Sequence, residues 1–123
     1  LNASSGIIAS PTALADYGLA LLKGEILEPE LLERMWTPTL GADGTLEPYA
    51  LGWYVEEVRG RKVVWHGGWW PDAYAGMLII VPEEELVFVA LGNTDGLHWG
   101  NPLNAADIAS SPMAAAFFEA FLD

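Results

Sequence analysis

Apolar residues follow two different rhythms along this chain. Between Leu51 and Asn93 they come in extended runs, and on either side they recur at helical spacing. Leu51-Gly52-Trp53-Tyr54-Val55 alternates large and small residues and is rich in β-branched and aromatic side chains, which predicts a strand. Arg59-Gly60-Arg61-Lys62 supplies a turn, and Lys62-Val63-Val64-Trp65-His66 returns as a second strand. A break is expected over Gly67-Gly68-Trp69-Trp70-Pro71-Asp72. Tyr74 to Val81 and Leu86 to Leu91, joined by Pro82-Glu83-Glu84-Glu85, are near-continuous apolar runs, as in strands that are central or covered on both faces. Connections this short cannot make parallel crossovers, so the strands should form an antiparallel meander.

Before the sheet, Ser10-Pro11 reads as a helix start, with Ser as cap and Pro at the first helical position. The helix should run to about Lys23 and stop at Gly24. Leu14, Tyr17, Gly18, Leu21 and Leu22 form its apolar stripe. A shorter helix is expected from Glu28 to Trp36, with early acids suiting its N-terminal dipole and Thr37-Pro38 ending it. Gly41 to Thr45 is a loop into the sheet. After the sheet, Thr94-Asp95-Gly96 breaks the chain. Asn101-Pro102 starts a short helix through Ile108, and Ser111-Pro112 starts a last one to about Leu122. Phe117, Phe118, Phe121 and Leu122 give that last helix an apolar face, which should lie on the sheet. The class is α+β, an antiparallel sheet of three to four strands with flanking helices. One segment is expected, residues 1–123: helical over 1–48, strands over 49–93, helical again over 94–123.

Composition narrows the function classes. With 52 % hydrophobic residues in 123, a disordered chain is excluded. A formal charge of −12, from five Lys+Arg against 17 Asp+Glu, leaves no basic surface for nucleic acid or anionic lipid. No apolar run reaches the roughly 20 residues of a membrane span. Cysteine is absent, which removes disulfides and thiolate chemistry. Two histidines without metal-ligand spacing argue against a metal, and no cofactor motif occurs. Nothing here fixes the compartment.

His66-Gly67-Gly68 is the best local candidate for chemistry. Two glycines strip a strand of side chains, so a ligand could approach its backbone. The Trp69 amide could then donate to an oxyanion. The same residues also read as a bulge beside a partly buried histidine. Trp69 and Trp70 could wall an aromatic pocket or pack in the core; adjacent strand residues point to opposite faces, so at most one should face a given pocket. His98 sits in a loop with Trp99. Lys23, Lys62 and the Glu83-Glu84-Glu85 run read as solvated.

Taken in order, these pieces resemble the serine β-lactamase-like proteins, a family that includes class C β-lactamases, DD-peptidases of the penicillin-binding type and related esterases. Ser4-Ser5-Gly6-Ile7-Ile8-Ala9-Ser10-Pro11 and the following helix through Gly24 are similar to their glycine, aliphatic pair and Ser-x-x-Asp-Leu-Ala helix. Tyr49-Ala50-Leu51-Gly52-Trp53 looks like their Tyr-Gly-Leu-Gly-Trp element. Trp65-His66-Gly67-Gly68 looks like the His-x-Gly form of their Lys-Thr-Gly strand, and Leu91-Gly92-Asn93 looks like their Leu-Thr-Asn.

The resemblance implies ester or amide hydrolysis through an acyl-enzyme. His66 would take the lysine place, orienting substrate and aiding proton transfer. Gly67 and Gly68 would keep the strand clear, and the Trp69 amide would be one oxyanion donor. The family's Ser-x-x-Lys and Tyr-x-Asn elements are absent from these 123 residues. The chain is therefore expected to be the C-terminal portion of a longer enzyme, inactive alone, whose partner is the N-terminal part of the same protein. The His-x-Gly form leans towards an esterase or peptidase. An unpaired sheet edge could also support a homodimer. The alternative is a non-catalytic binding or interaction module on the same scaffold.

Overall fold

Ser10 opens α1 (Pro11–Leu22) by accepting the Ala13 N–H through its hydroxyl at 3.1 Å. Lys23 closes the helix, and Gly24 follows at φ 69°, the left-handed position that favours glycine after a helix end. α2 (Pro29–Met35) begins at Glu28 and ends at Trp36. The computed structural model describes residues 6–100 and 106–122. Four strands follow: β1 (Tyr54–Val58), β2 (Arg61–Trp70), β3 (Tyr74–Val81) and β4 (Leu86–Gly92). They form one antiparallel sheet in the order β1-β2-β3-β4, the expected meander. α3 (Pro112–Phe121) is capped by the Ser111 hydroxyl. The molecule is α+β.

Sequence order makes each turn legible. Arg59 and Gly60 both take positive φ (52° and 71°) between Val58 and Arg61, the pattern of a two-residue type I′ hairpin. Pro71 precedes Asp72 at φ 57°, and the Ala73 N–H reaches the Trp70 carbonyl at 3.1 Å, the pattern of a type II turn. Pro82–Glu84 makes a 3₁₀ turn that ends on Glu85 at φ 52°.

Side chains alternate across the sheet and fill two cores. On one face Leu21 of α1 and Leu32 of α2 join Trp36, Trp53, Val55, Val64 and Ile80. On the other, Ala114, Phe117 and Phe118 of α3 join Val63, Trp65, Met77, Ile79 and Val81. Covering on both faces is what the continuous apolar runs of β3 and β4 require.

Several expectations shift. The strand expected at Leu51–Val55 starts at Tyr54 instead, because Gly52 takes φ 86° and the Ala50 N–H turns back to the Trp53 carbonyl at 2.7 Å. The strand expected to end at His66 runs on to Trp70. Gly67 pairs with Met77 and Gly68 with Gly76 in unbroken register, so the glycines form neither a break nor a bulge. Tyr17 lies outside the buried stripe of α1 and is 41 % exposed, because Gly18 and Leu21 make the contact face. Of the helix expected over 101–108, residues 101–105 lie outside the described set; Ala106 and Asp107 are not helical, and Ile108–Ser110 forms a 3₁₀ turn. The acidic turn is not simply solvated: Glu83 accepts the Lys62 N–H and Glu84 pairs with Arg61.

The contact of α1 with β4 is close. A Cβ on Gly18 would lie 2.7 Å from Val87 Cγ1 and 3.2 Å from its Cγ2. Gly18→Ala gains helix propensity of up to about 1 kcal/mol but overpacks this contact by about 1–3 kcal/mol. The expected net is a loss of about 1 kcal/mol, read as a lower urea midpoint. Val87→Ala in the same chain should recover part of it.

Candidate active site

β2 is longer than β1. The pairing between them ends at Tyr54 opposite Trp65, so residues 66–70 have β3 on one side and no strand on the other among the described residues. Backbone direction along this edge follows from one hydrogen bond. The Val55 N–H points away from β2, donating to the Pro48 carbonyl at 2.8 Å. Tyr54 therefore faces β2, and its partner Trp65 faces β1. Backbone groups alternate along a strand, so those of Gly67 and Trp69 turn to the same side as Trp65, beyond the end of β1. The N–H and C=O of these two residues line an open edge.

Nothing in the local backbone demands glycine here. Neither Gly67 nor Gly68 has a positive φ. A Cβ on Gly68 would meet nothing within 4 Å, and one on Gly67 would come no closer than 3.4 Å, to the Gly76 carbonyl oxygen. What the glycines provide is clearance along the edge.

The side chains divide between the faces. His66 follows Val64 onto the α1/α2 side, where its Nε2 lies 3.1 Å from the Tyr49 hydroxyl. The rings of Tyr49 and Tyr54 are 5.9 and 6.0 Å from that of His66. Although its rim reaches solvent, this crowding desolvates the imidazole and lowers its pKa below the ordinary 6.5, a hydrogen bond with the Gly67 backbone opposing. At neutral pH the ring is uncharged, and its Nε2 shares a hydrogen bond with the Tyr49 hydroxyl. Tyr49→Phe keeps the ring that crowds His66, so the His66 midpoint in an NMR titration should stay below 6.5. The depressed value means that stability due to neutral His66 is complete above 6.5 and is lost as pH falls through the folded midpoint.

Trp69 follows Trp65 onto the α3 side. There it stacks on His98 with ring centres 4.2 Å apart and planes within 9°. Together with Tyr54, Trp65, Trp99 and the two glycines, this pair borders a cavity of about 280 Å³. Trp70, on the opposite face, does not border it. The structure thus brings Gly67, Gly68, Trp69 and His98 to one cavity and leaves His66 around the strand edge from it. The Trp99 indole N–H is buried and has no acceptor among the described residues.

A family model described as Beta-lactamase matches residues 2–111. The chain belongs to the β-lactamase family. A search of curated proteins gives no significant match. In this β-lactamase-family chain the His66-Gly67-Gly68 segment is the part of β2 that continues past the end of β1, paired with β3 alone among the described residues. Tyr49 is the neighbour that sequence reasoning missed. The sequence marked Tyr49 only as the start of the Tyr49-Ala50-Leu51-Gly52-Trp53 element; its place opposite His66 arises when residues 50–53 double back. No helix among the described residues is long and apolar enough to cross a membrane.

Proposed function

We propose that this chain supplies the edge-strand wall of a serine hydrolase that cleaves an ester or amide through an acyl-enzyme. The observation that carries the reading is the open edge itself. Gly67 and Trp69 present backbone donors and acceptors beyond the end of β1, and the adjacent glycines leave room for a substrate chain to lie against them. Such an edge binds an extended acyl group by adding it as another strand. The Trp69 N–H is the proposed oxyanion donor. Neutral His66, oriented by Tyr49, is the proposed proton carrier.

The nucleophile and its base act as a unit, and no Ser-x-x-Lys occurs in these 123 residues. The reading therefore places them in an N-terminal part of the same protein, and the 123-residue chain alone is inactive. The test compares this chain with the whole protein that its reading frame encodes, each treated with a fluorophosphonate ester probe. Labelling of a serine upstream of Leu1, with none on this chain, is the expected result. A labelled serine within the 123 residues, or no labelling of either, sinks the proposal. In the whole protein, Gly68→Leu should lower kcat/KM for an ester at least tenfold while leaving the urea midpoint nearly unchanged. The added side chain fills the cleared edge and no packed core, so a large loss of stability would count against the assignment.

A further inference from the structure

The charge of this molecule is segregated along the sheet. Arg61 pairs with Glu84 and Lys62 with Glu33, at the end where β1 turns into β2. Arg59, in that same turn, donates to the Phe118 and Leu122 carbonyls. Lys23 lies beside Pro82 and Glu85, at the turn between β3 and β4. Arg34 follows Glu33 on the exposed side of α2. These are all five Lys and Arg of the chain.

The cavity sits at the other end. Along β2, Lys62 and Trp69 are seven residues apart, about 23 Å of extended chain. The groups near its rim are acidic: the Asp72 N–H is held by the Asp95 carboxylate at 3.1 Å, in the turn after Trp70 and in the segment leading to Leu97 and His98. Among the described residues no Lys, Arg, Asp or Glu borders the cavity itself, and its walls are mainly aromatic and aliphatic.

We propose that this cavity takes a flat, uncharged, phenyl-sized group of the substrate and rejects a carboxylate. Its role as an acyl-group pocket rests on the reading of the neighbouring edge as an acyl site; the charge selection does not. Three features favour it. A cavity of about 280 Å³ suits one aromatic ring with its linker. The parallel Trp69 and His98 rings and the Trp65 ring offer faces and edges for aromatic packing. An anion entering here meets no Lys or Arg in the wall among the described residues, two aspartates near the rim and a molecule of net charge −12. A neutral ring loses none of its binding to these charges.

The test uses a pair of equal shape, benzamide and benzoate, titrated into the whole protein that the reading frame encodes. Binding is measured by calorimetry and by the indole N–H signals of assigned tryptophans. Benzamide should bind and shift the Trp65, Trp69 and Trp99 signals, and benzoate should bind at least tenfold more weakly. Trp69→Ala should weaken benzamide at least fivefold. Equal or tighter binding of benzoate, no binding of benzamide, or binding that leaves those three signals in place overturns the proposal. Failure of the fluorophosphonate test with benzamide binding intact would remove the acyl-enzyme reading and keep the neutral pocket. Acylation that proceeds fastest with carboxylate-bearing esters would do the reverse.

Discussion

Trp65→Ala should lower the unfolding free energy by about 3–5 kcal/mol, the range for truncating a buried large aromatic side chain. Trp65 is 2 % exposed and ties three parts of the molecule together. Its ring stacks on Tyr54 of β1 with centres 4.4 Å apart. It also approaches Trp99 at 5.7 Å, and its indole N–H donates to Glu56 Oε1 at 2.6 Å. Removing the ring leaves a cavity between the sheet and the C-terminal layer and strips Glu56 of one of its two donors. Urea unfolding measures the loss. Trp65→Phe keeps a large part of the packing and should cost roughly half as much; equal losses for Phe and Ala would mean that the hydrogen bond, and not the ring, carries the effect.

The second large effect centres on Glu56. Its Oε1 accepts from Trp65 Nε1 and from the Ile108 N–H at 3.0 Å, so one oxygen joins β1, β2 and the segment before α3. Desolvation raises its pKa above the ordinary 4.5, against these two hydrogen bonds. Glu56→Ala should cost about 3 kcal/mol, since each buried donor left unpaired costs about 1–3 kcal/mol. Glu56→Gln keeps an acceptor oxygen and removes the desolvated charge, so at pH 7 it should be close to neutral or stabilising. The pH dependence has a definite sign. A raised folded pKa means that the contribution of protonated Glu56 is complete below 4.5 and is lost as pH rises through the folded value. Relative to the Gln variant, the parent protein should therefore gain stability on acidification from neutral pH. A parent that loses ground to the Gln variant on acidification would show that Glu56 is not desolvated.

Both predictions concern contacts that no local pattern announces. Glu56 reads as one of two acids in a strand, and its two donors lie 9 and 52 residues away. The same holds for Tyr49 and His66, separated by 17 residues. Elements set by neighbouring residues were legible. Ser10-Pro11 and Ser111-Pro112 cap helices because a short hydroxyl side chain reaches the third N–H on, whatever packs nearby. Arg59-Gly60 turns because the glycine tolerates positive φ. The antiparallel order follows from connections too short for anything else.

Strand ends were less legible because pairing decides them. Gly67-Gly68 looks like a break to any reading based on propensity, yet β3 holds Met77 and Gly76 opposite these residues and the strand continues. Leu51 has a strand side chain, yet its N–H goes to the Met35 carbonyl while Gly52 bends the chain. The site divides the same way. Its residue types stood in the sequence: a histidine, two glycines and a tryptophan in a row. That the edge beside them is open depends on where β1 stops. That Trp69 meets His98 depends on a loop 29 residues on being folded over the sheet. Sequence by itself determined the caps, the turns, the α+β class and the family, because each rests on residues adjacent in the chain or on their order. The tertiary structure alone decided the open edge, the cavity and the segregation of charge, because each depends on distances between residues far apart in the chain.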